Sequence, residues 1–221
     1  MVHRTPWKKS RTFGDIYGGR ERHRFADNIV ARAHSLPPPE PGQATPIILR
    51  DNPSRDAYFP LEASAVRTAL SALPEADVAG LTHVWLRRPL YRKAPLQSGA
   101  FGLYVAGSRV CAIILFAFPR SRVLDLGERT PNSPLVAEVR RYGADVHRRG
   151  RRWHAAFTPE AARRFALQGI LYHEIGHHQD RRRWSDANAR RTEAVADQYA
   201  RRMGSVAAEV LNELRATCRA D

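Results

Sequence analysis

The segment Leu171-Tyr172-His173-Glu174-Ile175-Gly176-His177-His178 constrains this chain more than any other stretch. It sits in a run that reads as one helix. Thr158 can cap that helix, Pro159 suits its first position, and Glu160 places an acid in its first turn. The spacing predicts helix to about Gln179. A helix turns ~100° per residue, so His173 and His177 lie only ~40° apart, one turn from each other. Two imidazole nitrogens so placed can reach one divalent metal at ~2.0–2.1 Å. Glu174 falls ~100° from His173 and ~60° from His177, beside such a metal rather than on it. A carboxylate there can take a proton from a bound water.

Three residues are not a site by themselves. With 9 His in 221 residues, chance supplies this pattern in roughly two of every hundred such chains. The surroundings carry the argument further. Ala162, Ala166 and Gly169 precede the histidines on the same face at helical spacing, and Gly176 lies beside them. Small residues there admit another backbone. Phe165, Leu167, Leu171, Tyr172 and Ile175 cover most of the rest, as in a helix buried on several sides.

A following helix, expected from a Ser185 cap to Met203, carries Glu193-Ala194-Val195-Ala196-Asp197. Glu193 and Asp197 share a face with Ala196 and Ala200. Two carboxylates on so small-sided a face are costly to bury without a metal or histidine partner. If this helix packs back on the first, Glu193 becomes a third ligand. Asp197, one turn on, can accept the other ring N–H of a ligating histidine. Three protein ligands leave a fourth tetrahedral position for water, the pattern of a catalytic zinc site. His178 points ~140° from His173 and suits the helix C-terminus instead.

The combination H-E-x-x-H (His173, Glu174, His177) followed by E-x-x-x-D (Glu193, Asp197) resembles the gluzincin branch of the zincin metallopeptidases. The resemblance covers His173 to about Ala200, with weaker agreement in the sheet before it. It is similar to minimal bacterial gluzincins and to phage-repressor-cleaving and stress-response metallopeptidases. It implies an α+β, zincin-like fold: a small mixed sheet packed on an active-site helix, with a C-terminal helical part. It implies one Zn²⁺ on His173, His177 and Glu193, with Glu174 as general base and Asp197 orienting His173. Only 15 residues separate His177 from Glu193, short for the larger members. The helical DNA-binding module of the stress-response members has no counterpart. The oxyanion-stabilising Tyr or His has no single match; Tyr199, Tyr142, Tyr104 and His154 are the candidates.

Composition narrows the alternatives. Cys111 and Cys218 are the only cysteines, which excludes a cysteine-based zinc site and a disulfide framework. No apolar run reaches the length of a membrane span, and Met1 to Arg11 lacks the apolar stretch of a secretory signal. The expectation is a soluble, cytoplasmic protein. The net charge of +14 invites an anionic partner. The cations are 33 Arg and 3 Lys, spread along the chain with clusters at Arg148–Arg152 and Arg181–Arg183. That pattern fits a solvated basic surface better than a nucleic-acid interface.

Residues 1–44 read as a basic, Pro-rich, poorly ordered extension, with a short helix over Phe25–His34 and an extended linker at Pro37–Pro41. A domain over 45–221 follows. Strands are expected at Pro46–Leu49, Leu81–Leu86 and Trp153–Phe157, and helices at Leu61–Leu73, from Ser133-Pro134 to about Gly143, and from Ser205 to about Arg219. Phe101–Ala106 and Arg109–Phe118 read as a hairpin turning at Gly107-Ser108, its second strand deep in a sheet. The resulting expectation is a zinc peptidase acting on a protein or peptide. The alternative is a metal-containing regulator that acts through a protein or nucleic-acid partner.

Overall fold

The computed structural model describes residues 29–52, 55–88, 101–107, 109–128, 133–180 and 189–220, and the backbone alone at 189–191 and 218–220. The Ser185 cap, the Arg181–Arg183 cluster, the Cys218 side chain and the chain before residue 29 lie outside these.

The architecture is mixed α+β. The main sheet has the order β1-β3-β5-β4. β1 (Ile47–Arg50), β3 (His83–Arg87) and β5 (Cys111–Phe116) run parallel, and β4 (Gly102–Ala106) pairs antiparallel to β5 at one edge. All six residues of β5 are buried. The reason is cover on both faces. Ile113 and Leu115 join the principal core, while Ile114 and Phe116 meet a second cluster containing Ala33. Ala33 belongs to α1 (Ile29–His34). Thus part of the segment that reads as an extension is packed against the sheet.

The expected strands and helices are present within a few residues. Connecting them are short elements with weak sequence signals. β2 (Ala57–Tyr58) pairs with β6 (Phe118–Pro119), and α3 (Glu75–Val78) follows α2 (Ala63–Ser71). β7 (Val123–Gly127), β8 (Asp145–Arg149) and β9 (Arg152–Ala156) form a separate antiparallel sheet in the order β7-β9-β8. Between them α4 (Pro134–Arg141) starts at Ser133, whose Oγ accepts the Val136 N–H.

Helix from Pro159 to Asp180 is continuous but not uniform. α5 (Pro159–Arg164) is capped as expected, with Thr158 Oγ1 accepting the Ala161 N–H at 3.1 Å. Phe165–Leu171 then widens into a π-helical segment, and the Tyr172 N–H donates to the Leu167 carbonyl five residues back. α6 (Tyr172–Asp180) resumes the ordinary period. A face traced at 3.6 residues per turn from Ala162 to His173 is therefore broken here. Gly169 meets the Tyr142 ring, whereas Gly176 meets the next helix. Segments of this kind recur near functional sites.

α7 (Ala189–Arg202) packs on α6, and α8 (Gly204–Ala220) closes the chain. The pairing is antiparallel: Gln168 reaches the Ala200 carbonyl, His173 meets Asp197, and His177 meets Glu193. A Cβ on Gly176 would lie 2.5 Å from Ala196 Cα, so only glycine permits this approach. Among the described residues no helix is long and apolar enough to cross a membrane.

Candidate metal centre

The regular period of α6 brings the two imidazoles together, edge to face, with centroids 4.8 Å apart. His173 Nε2 and His177 Nε2 are 3.2 Å apart. Glu193 arrives from α7 with Oε2 3.3 Å from His173 Nε2 and Oε1 3.5 Å from His177 Nε2. A tetrahedral ion with bonds of ~2.0–2.1 Å spaces its ligand atoms roughly 3.3–3.4 Å apart. The two ring nitrogens stand about one such edge apart, the Glu193 carboxylate turns one oxygen toward each ring, and one donor atom from each residue lies within 4.8 Å of the others. His173, His177 and Glu193 could therefore hold a metal ion. The Glu193 side chain is 64% exposed, whereas His173 and His177 are 15% and 16% exposed.

Asp197 Oδ1 lies 3.1 Å from His173 Nδ1. As acceptor it favours the proton on Nδ1, so that Nε2, once it gives up its own proton, is the atom left to face a metal. Arg201, one turn on, reaches the other Asp197 oxygen at 3.6 Å.

Electrostatics agree with this crowding. Burial alone would lower His173, but the Glu193 hydrogen bond and the charges of Glu174, Glu193 and Asp197 raise it to about 9. His177 goes the other way, lowered by burial and by the neighbouring His173 charge. Two rings this close cannot both hold a proton cheaply. Glu193 is lowered, chiefly by its hydrogen bond to His173.

Glu174 is buried and lies against the edge strand. The Tyr104 N–H donates to its carboxylate. Burial pushes it up to about 7, with Glu193 adding to the rise and His173 and the Tyr104 N–H opposing it. A carboxyl in that range suits proton transfer near neutral pH.

His178 is not part of the triad. Its Nε2 donates to the Ala79 carbonyl at 3.0 Å, which leaves Nδ1 to accept from the Tyr104 hydroxyl at 3.1 Å. It pins α6 to β4 and to the turn after α3. Of the other oxyanion candidates, Tyr199 donates to Asp77 Oδ2 at 2.9 Å. His154 stacks on His147 across the β8–β9 pair. Tyr142 and His154 have no side-chain hydrogen bond to a described residue, and Asp197 is among the electrostatic neighbours of Tyr142.

One acid that the sequence reading passes over belongs to this neighbourhood. Glu138 on α4 is half-buried and interacts electrostatically with His173, Asp197 and Glu193. Its signal was faint: Glu138 and Tyr142 lie four apart on one helical face, beside buried Val136 and Val139. Comparison of the chain with protein-family models, with curated proteins and with solved structures finds no match.

Proposed function

We propose that this protein is a zinc-dependent peptidase of gluzincin type on a zincin-like fold. The observation that carries the reading is the convergence of His173 Nε2, His177 Nε2 and the Glu193 carboxylate, with one donor atom from each within 4.8 Å of the others. Two imidazoles and one carboxylate form a donor set suited to zinc. Zinc bound there supplies Lewis acidity to a scissile carbonyl and acidifies water.

The remaining work falls to the chain. Asp197 orients His173. Glu174, next to the triad and raised to about 7 by burial, takes the proton of the attacking water and returns it to the leaving amine. β4, an edge of the main sheet, lies against Glu174 and offers main-chain groups to an extended peptide. A cytoplasmic setting fits a chain with two cysteines.

The test is metal analysis and peptide hydrolysis by wild type and three variants. Glu174→Gln should keep one zinc and lose cleavage, while His173→Ala and Glu193→Ala lose the metal. Cleavage at the wild-type rate by Glu174→Gln would sink the proposed role of that residue. Undiminished zinc in His173→Ala would sink the site.

A further inference from the structure

His178 stands directly after the second candidate ligand, yet its ring bonds elsewhere. On α6 it follows Glu174 by four residues, so the two share one face, as His173 and His177 share the face beside it. The histidine pair meets Glu193 and Asp197 on α7. The Glu174–His178 pair meets β4 instead. At one end a Cβ on Gly102 would collide with Glu174 Oε1, at 2.7 Å. At the other end the Tyr104 and His178 rings meet edge to face, with centroids 5.5 Å apart.

The register of β4 explains how Tyr104 reaches both. The Phe116 N–H donates to the Phe101 carbonyl at 3.1 Å, and the Gly107 N–H to the Val110 carbonyl at 2.8 Å. Between these bonds the β4–β5 register runs without a shift. Bonded and unbonded pairs alternate in an antiparallel ladder. Phe101, Leu103, Val105 and Gly107 therefore bond to β5, while Gly102, Tyr104 and Ala106 turn their main-chain groups to the outer edge of the sheet. There the Tyr104 N–H meets the Glu174 carboxylate. The Tyr104 side chain enters the principal core, and its hydroxyl donates to His178 Nδ1 at 3.1 Å. His178 is fixed from its far side, where Nε2–H donates to the Ala79 carbonyl at 3.0 Å. One residue of the edge strand is thus tied to α6 at two points a helical turn apart. Tyr104 and His178 are 6% and 2% exposed, so parting them would leave a buried hydroxyl and a buried ring nitrogen short of a partner.

We propose that His178 and Tyr104 are positioning residues for hydrolysis: their hydrogen bond sets the gap between β4 and α6, and with it the distance from a peptide paired on β4 to Glu174 and the metal donors. This inference rests on the peptidase reading and deepens it. A peptide paired on β4 moves with the strand, whereas Glu174, His173 and His177 move with the helix. Breaking the bond leaves the peptide bound but out of line, so kcat falls and KM hardly changes.

The test compares zinc-loaded wild type with Tyr104→Phe, His178→Ala and His178→Asn. Tyr104→Phe removes the hydroxyl and keeps the ring and the main-chain N–H. It should lower kcat about tenfold or more, with KM within about twofold of wild type. His178→Ala should do the same. His178→Asn, whose amide oxygen can stand in for Nδ1, should recover part of the loss. The double variant Tyr104→Phe/His178→Ala should lose no more than His178→Ala alone, since both changes break one bond. A second arm, without substrate, follows amide hydrogen exchange by NMR. Exchange at residue 104 should quicken about tenfold or more in Tyr104→Phe and His178→Ala, while the Leu103 and Val105 amides stay protected. Tyr104→Phe lies off the ligand helix and decides the question should His178→Ala lose zinc or fail to fold. A Tyr104→Phe enzyme with wild-type kcat and wild-type exchange at residue 104 overturns the proposal, as do additive losses in the double variant; the pair then serves stability alone. If zinc-loaded wild type cuts no peptide, the peptidase reading falls, and the exchange arm alone decides whether the pair holds β4 to Glu174.

Discussion

The Glu174 carboxylate occupies the space that a side chain at position 102 would need. A Cβ on Gly102 would fall 2.7 Å from Glu174 Oε1, 3.0 Å from its Cγ and 2.6 Å from Ile170 Cγ2. The edge strand therefore touches the helix through its bare backbone, and the Tyr104 N–H holds the carboxylate there.

Gly102→Ala should displace Glu174 without touching the triad. The expected result is a full zinc complement with turnover reduced about 100-fold, since a ~1 Å misplacement of a reacting group costs that much. The overpacked contact should also lower stability by about 1–3 kcal/mol. Zinc content, kcat and a denaturant melt on the same preparation separate these effects. Wild-type kcat in a zinc-loaded Gly102→Ala protein would show that the berth at Gly102 does not position the base.

Legibility of this chain followed the range of the interactions. His173, His177 and Glu174 could be placed because their geometry depends only on the local helical period. Glu193 and Asp197 followed because one packed neighbour helix, with Gly176 against Ala196, brings their face to the histidines. The π-helical segment could not be read, since Phe165–Leu171 has a composition equally suited to an α-helix. β8 was invisible because its residues are mostly exposed and lack apolar alternation. Glu138 was missed for a related reason. Its electrostatic link to the triad depends on how α4 and the β8–β9 pair return the chain to α5, a non-local arrangement with no short pattern. α1 reads as part of a tail because the face that Ala33 covers exists only once β4 and β5 have paired.

A second prediction concerns the separate three-stranded sheet. Asp125 braces its β7–β9 pairing at the irregularity between Asp125 and Gly127. It accepts the Gly127 N–H at 2.9 Å and the Arg152 Nε–H through both oxygens, at 3.0 and 2.9 Å. Burial alone would raise its carboxyl, but the Arg152 hydrogen bond, the Gly127 N–H and nearby positive charge hold it below the ordinary value. A carboxyl depressed in the folded state stabilises above its unfolded pKa of about 3.9, and that stability disappears as pH falls through the folded value. Asp125→Asn should therefore melt slightly below wild type at neutral pH, and the gap should close on acidification. The pair is partly exposed, so added salt should shrink the gap as well. A gap in melting temperature that stays constant from neutral pH into the acid range would show that the carboxylate charge is not what braces this bulge.

The third prediction isolates the orienting role of Asp197. Its Oδ1 lies 3.1 Å from His173 Nδ1, on the far side of the ring from the atoms that face Glu193. It does not belong to the three-residue donor group, so its effect on metal affinity must pass through the tautomer and basicity of His173. Asp197→Asn keeps an oxygen that can accept the Nδ1–H but loses the charge, whereas Asp197→Ala loses both. Zinc affinity, measured by competition with a chromogenic chelator, should fall in the order wild type, Asn, Ala, with a total loss of about 10–100-fold. Because Asp197 also pairs with Arg201 at 3.6 Å, Arg201→Ala serves as the control. That exposed pair contributes little on its own, so Arg201→Ala should leave zinc affinity near wild type. Equal affinities for wild type and Asp197→Ala would mean that Glu193 and the helix backbone orient His173 without help.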